Sequence, residues 1–153
     1  MVQRREIREV VLQALFAEEV SGNRWEQVLS SLIKPKLTKD KSGLKFAEQL
    51  FLKTAKNKEE LDSIIQDHIK NWNIHRLATV DKLILRLALC EFLFFEEIPT
   101  KVTINEAIEI AKRFSTKKSG NFVNGILDAA LERLRNEDRI QKKGRGLIES
   151  SFN

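Results

Sequence analysis

The stretch FSTKKSGNFVNGILD, residues 114 to 128, closes one helix and opens another. Helix starts favour acidic residues, because the N-terminal end of the helix dipole is positive. Lys117 and Lys118 nevertheless stand at that end. The placement suits an anion: a helix N-terminus offers unpaired N–H groups to a phosphate, here expected near Ser119. Lys112 and Arg113 extend the cluster, with no acid between 112 and 118. If Val123, Leu127, Ala130 and Leu134 centre the buried stripe, Phe122 falls about 100° away. That is the stripe's margin, beside Lys118, where a ring can take a base. Gly120 and Gly125 are expected to leave room for close approach. The competing reading makes Phe122 an ordinary core residue.

A second basic cluster lies in RREIREVVLQALF, residues 4 to 16. Arg5, Arg8, Leu12 and Phe16 recur at i, i+3, i+7 and i+11. They are expected as a line beside the core stripe of Ile7, Val11 and Ala14. Guanidinium groups take phosphates and aromatic rings take bases. The alternative is a solvated arginine face with Leu12 and Phe16 simply packing.

Other reactive side chains assemble nothing comparable. His68 and His75 are the two histidines, with no cysteine or paired carboxylate near them, so metal-ligand spacing is absent. His68 falls near an apolar stripe and reads as structural. Cys90 lies in the most apolar stretch and reads as a small buried hydrophobe. KGRG at 143 to 146 lacks the glycines of a phosphate loop. Glu91, Glu96 and Glu97 share one helix, but nothing combines nucleophile, base and orienter. No catalytic centre, metal or cofactor is expected.

Charge points toward an anionic partner. The net charge is +5 and the pI about 9.4, which fits nucleic acid or a membrane surface. With 42% hydrophobic and 32% charged residues the chain reads as a soluble globular protein. LILRLALCEFLFF, residues 83 to 95, is too short to span a bilayer and contains Arg86 and Glu91, so no membrane partner is expected. MVQRREIREV has no apolar signal core, and a single cysteine fits a reducing compartment. Both favour the cytoplasm.

These clusters need helices to position them, and the helical period runs through the chain. Residues 3 to 20 form one helix, stopped by Ser21 and Gly22. Trp25, Val28, Leu29, Leu32 and Ile33 mark a second, ended by Pro35. Residues 34 to 45 read as a loop, with five lysines and one aspartate. A third helix is expected from Phe46 to Ala55. Asn57 with Glu60 reads as a capping box for a fourth, and Thr103 with Glu106 as another. NWNIHR, residues 71 to 76, is a connection, and residues 77 to 97 form a buried helix closed before Pro99. The last helix is expected from about Ser119 to Leu134. The expectation is an all-α fold: seven helices in two small bundles sharing one core, spanning residues 1 to 136. Residues 137 to 153 follow as a basic, flexible tail.

Long ordered motifs add a resemblance. IPTKVTINEAIEIAKRF, Ile98 to Phe114, and FVNGILD, Phe122 to Asp128, resemble the bacterial transcription antitermination factor family NusB. RREIREVVLQALF fits as well, and the likeness covers about residues 3 to 134. The resemblance implies an all-helical protein of two bundles that binds the boxA element of ribosomal RNA leader transcripts. It implies NusE, the small-subunit ribosomal protein, as partner, and an RNA polymerase complex that resists termination. By position it implies an RNA face of Arg4, Arg5 and Arg8, with Lys117, Lys118, Ser119 and Phe122 as the other edge. Phe16 and Asp81 would lie near the RNA and NusE surface. Lys118 occupies a position often acidic in the family, a departure that strengthens phosphate attraction and puts boxA selectivity in doubt. The family includes dimers, and the sequence leaves monomer and homodimer open. Two other classes compete: a helical protein-binding scaffold, and a stand-alone relative of the N-terminal domain of ribosomal RNA cytosine methyltransferases.

Overall fold

Helix α1 spans Arg4–Ser21 and ends where Gly22 turns left-handed, at φ 70°. The Gly22 amide donates back to the Glu18 carbonyl at 2.9 Å, closing the last turn. That conformation strains any residue with a Cβ, which is why the helix stops at glycine. The structure is a computed structural model and describes residues 2–69 and 73–152. Among the described residues there are seven α-helices and no strand. They form two compact units, Met1–Lys56 and Asn57–Asn153.

In the first unit α1 packs on α3, Lys41–Lys56. Between them runs α2, Trp25–Val28, which widens into a π turn at Leu29–Ile33 and tightens into a 3₁₀ turn at Lys34–Lys36. Ile7, Val11, Leu15, Ile33, Leu50 and Phe51 are each at most 2% exposed. Burial of each such side chain contributes about 1.5–3 kcal/mol. The expected 34 to 45 loop is shorter than the sequence suggests, because α3 begins at Lys41 and not at Phe46. Asp40 is the reason: its Oδ1 accepts the Gly43 amide at 2.9 Å, the bond an N-cap makes to the third helical residue.

In the second unit α4 spans Lys58–Asp67, α5 Thr79–Phe94, α6 Thr100–Phe114 and α7 Lys117–Asn136. A 3₁₀ turn, Ile74–Arg76, precedes α5. Of the expected connection 71 to 76, Asn71 and Trp72 lie outside the described residues. Residues 83 to 92 of α5 are all buried, since α4, α6 and α7 each pack on it. Its buried charges are paired. Arg86 grips Asp62 of α4 through Nε and Nη2, at 2.6 and 2.8 Å.

Neither expected capping box forms. Helix α6 starts at Thr100, directly after Pro99, so Thr103 already lies inside its first turn. The Thr103 hydroxyl faces α5 and donates to Glu91 Oε1 at 2.7 Å. Asn57 does precede α4, but its side chain makes no cap bond; Glu60 instead pairs with Arg139. Beyond α7 the chain returns to its own unit. Lys142 Nζ donates to the carbonyls of Glu91 and Phe95 at 3.1 and 2.7 Å, and Lys143 pairs with Glu96 at 3.1 Å.

Candidate nucleic-acid interface

Helix α7 starts at Lys117 because Thr116 caps it. Thr116 is extended, at φ −138° and ψ 167°, and its Oγ1 accepts the Ser119 amide at 3.1 Å. Lys117 and Lys118 therefore occupy the first two helical positions, both exposed, while Ser119 is buried. Ser119 Oγ lies 3.1 Å from Asp81 Oδ2, in the first turn of α5. A carboxylate only accepts, so the Ser119 proton goes to Asp81. The Ser115 hydroxyl, 2.9 Å away, then donates to Ser119. The N-terminal dipole of α5 favours the Asp81 charge.

The second oxygen of Asp81 is different. Among the described residues Oδ1 is buried with no hydrogen-bond partner. An unpaired buried acceptor costs about 1–3 kcal/mol, which an N–H donor reaching it would relieve. Asp81 lines a pocket of about 460 Å³ whose walls also include His68, Arg76, Lys118, Phe122 and Ile126. Phe122 is half-buried and lines the pocket from α7. An aromatic ring, two cations and a carboxylate together can stack a base, accept its donor edge and hold its phosphate.

In the first unit Arg4, Arg5 and Phe16 are exposed, Phe16 at 42%. The Arg4 guanidinium carbon lies over the ring of Phe46, 3.8 Å from its centre, and that of Arg8 lies 5.7 Å from the same centre. Arg8 and Leu12 depart from the expected surface line. They are 3% and 4% exposed, inside the buried side of α1. The buried face is wider than the Ile7/Val11/Ala14 stripe, and it takes in Glu9 and Glu18 as well.

Two further expectations need correction. The Ser119 amide is not open to an anion, because Thr116 takes it. Gly120 does not make room for a ligand. A Cβ there would meet Lys112 Cγ at 3.0 Å, so the glycine serves α6–α7 packing; at Gly125 a Cβ meets nothing within 4 Å. Lys112 itself pairs with Glu109 at 3.6 Å. Arg76 and the apolar pocket wall at Ile69 and Leu77 were missed by sequence reasoning. The signal for Arg76 was slight: a lone cation in the connection before α5. His68 lines the pocket with Nδ1 2.8 Å from the Ile64 carbonyl, which fixes the proton on Nδ1 and supports the structural reading.

Residues 5–132 match the model of the NusB family. The chain belongs to that family. It is 50% identical over 148 residues to the transcription antitermination protein NusB of Salinibacter ruber, covering 97% of this chain and 92% of that one. The corresponding protein of Chloroherpeton thalassium is 39% identical over 149 residues, covering 97% and 71%. Among solved structures, T. maritima NusB aligns with a TM-score of 0.79 at 40% identity, over 86% of this chain and 92% of that one. A crystal structure of antitermination factors NusB and NusE in complex with dsRNA aligns with a TM-score of 0.77 at 26% identity, over 85% and 96%. Among the described residues no helix is long and apolar enough to cross a membrane.

Proposed function

We propose that the chain is a cytoplasmic RNA-binding antitermination factor. It binds boxA-type elements of ribosomal RNA transcripts together with NusE, as part of an RNA polymerase complex, and carries out no catalysis. The observation that carries the reading is the pocket at the start of α7, where Phe122, Lys118 and Asp81 meet. One base stacks on Phe122, Asp81 Oδ1 accepts from that base's N–H or amino group, and Lys118 or Arg76 takes the neighbouring phosphate. Arg4 and Arg5 of α1 add phosphate contacts, and Arg8 supports them from within. Phe16 offers an exposed apolar contact, and Lys117 adds charge beside Lys118. Residues 1 to 136 supply this RNA-binding domain and residues 137 to 153 a C-terminal tail. The family membership and the relative solved with NusE and RNA support this reading.

A gel-shift titration with boxA and scrambled RNA, each with and without NusE, tests it. A small basic face gives little sequence readout alone, so RNA binds weakly by itself and tightly with NusE. Linkage then requires boxA to tighten NusE binding by the same factor. Equal affinity for both RNAs, unmoved by NusE, would leave a helical scaffold with an incidental basic face.

A further inference from the structure

One carboxylate holds the segment that leads into α1. The Val2 amide donates to Asp40 Oδ2 at 3.0 Å. Oδ1 of the same group accepts the Gly43 amide at 2.9 Å and the Ser42 hydroxyl at 3.3 Å. The Asp40 backbone carbonyl accepts from Leu44 at 2.8 Å, so Asp40 is also the residue on which α3 starts. A serine or asparagine caps a helix about as well as aspartate. Only a carboxylate has a second accepting oxygen left for Val2. The cap therefore does more than begin a helix.

The same turn of α3 reaches the first arginine. Phe46, three residues beyond Gly43, carries the Arg4 guanidinium on its ring at 3.8 Å. A guanidinium held over a ring has its charge fixed in place, where it attracts a phosphate. Chain entry is thus fixed at two points, the amide of Val2 and the side chain of Arg4. Gly43 makes the arrangement sterically feasible. A Cβ at this position would lie 2.5 Å from Asp40 Oδ2 and 3.0 Å from Ile7 Cδ1. Any larger residue would push the carboxylate off Val2 or α1 off α3.

We propose that Asp40 is a positioning residue for RNA binding: it ties the segment entering α1 to the first turn of α3 and so fixes the direction in which Arg4 and Arg5 present their charge. This rests on the RNA reading of those arginines. Asp40→Asn keeps one accepting oxygen, and with it the cap, but not the double grip. Gly43→Ala displaces the carboxylate while adding a better helix former.

The experiment compares the full chain with Asp40→Asn, Gly43→Ala, Arg4→Ala and the Asp40→Asn/Arg4→Ala double variant. The first readout is the proton NMR shift of the Arg4 side-chain methylenes, which the Phe46 ring current moves upfield. The second is the affinity for labelled boxA RNA and its salt dependence. Asp40→Asn is expected to reduce the upfield shift and weaken RNA binding roughly two- to fivefold, the size of an exposed charged contact. The salt slope should flatten by up to about 0.7, one single-strand phosphate contact. In the double variant Arg4→Ala should cost less than it does alone, because the two residues act as one. Gly43→Ala should move both readouts the same way. Unchanged methylene shifts in Asp40→Asn and Gly43→Ala overturn the positioning role, whatever the RNA does. A parent chain that binds no RNA overturns the RNA reading and this role with it, while the methylene shifts still decide whether Asp40 sets Arg4. Full additivity of Asp40→Asn and Arg4→Ala would also reject the role.

Discussion

Ser119 and Asp81, on α7 and α5, meet hydroxyl to carboxylate at 3.1 Å, and the bond leaves Asp81 Oδ1 buried without a partner among the described residues. Helix α7 thus engages one carboxylate oxygen of a residue that lines the pocket. If a base donor satisfies the other oxygen in the complex, Asp81→Asn is expected to weaken boxA binding by roughly 1 kcal/mol, about the value of one hydrogen bond. Asparagine is nearly the same shape, so the melting temperature should stay close to that of the parent. Isothermal calorimetry beside thermal melts separates the two effects. Unchanged RNA affinity would move base recognition away from Asp81.

Phe122 gives a second test. Truncating a buried core phenylalanine costs about 3–5 kcal/mol of stability, whereas base stacking is worth about 1–3 kcal/mol by alanine substitution. Phe122 is half-buried at the pocket wall. Phe122→Ala should therefore lose RNA affinity by about tenfold or more and lose less stability than a core truncation. Melting temperature and affinity are measured on one preparation. A large loss of stability with normal affinity in the folded fraction rejects stacking.

The arginines of α1 divide by burial. Arg4 and Arg5 are exposed, while Arg8 is 3% exposed. Arg5→Ala should reduce the salt slope of RNA binding by about 0.7 with little change in melting. Arg8→Ala should lower the melting temperature as well, because it removes a packed side chain from the buried face of α1. Salt titrations and thermal melts of the two single variants check this. Equal, purely salt-dependent losses would place Arg8 on the surface with the others.

The all-helical class was legible because the 3.6-residue period is strong from Ile7 through Leu134. Phe122 and Lys118 were legible as neighbours because residues four apart lie on one helix face. The misses came from tertiary partners. Arg8 and Leu12 looked like surface because the period marks only the centre of a stripe; how far burial spreads depends on what packs there. Thr103 and Glu106 look like a cap in sequence, but Pro99 starts α6 one turn earlier, and Glu91 claims the Thr103 hydroxyl. The Asp81–Ser119 bond carried no local sign, since the two residues are 38 apart. The Asp40 cap was local, and it was hidden by lysines that read as loop.

Asp40 also sets a pH dependence. The Gly43 amide first, and the Val2 amide next, hold its carboxyl below the ordinary aspartate range. A depressed folded-state value means that this stabilisation is fully present above the unfolded value, about 3.9. It is lost as pH falls below that value and through the folded one. The difference in urea midpoint between the parent and Asp40→Asn should stay constant from about pH 7 to pH 5 and shrink below about pH 4. A difference that grows on acidification would contradict the sign.

The return of the chain after α7 gives the last prediction. Lys142 donates to two carbonyls at the C-terminal end of α5, those of Glu91 and Phe95, each of which also accepts a backbone amide, from Phe95 and Ile98 respectively. The Lys143 amide donates to the Glu96 carbonyl at 3.1 Å, and a Cβ on Gly146 would lie 1.9 Å from that same oxygen. No side chain fits there without moving backbone. Gly146→Ala should therefore release the segment from the α5–α6 connection, while Gly125→Ala, where a Cβ meets nothing within 4 Å, serves as the neutral control. Lys142→Met, which keeps the stem but removes the donors, should cost about 1.5–3 kcal/mol, the value of hydrogen bonds from a charged group. Limited proteolysis reads the release and urea unfolding reads the stability. If Gly146→Ala is cleaved no faster after Lys142 and Lys143 than the parent and unfolds at the same urea concentration, the segment contributes nothing to holding the end of α5.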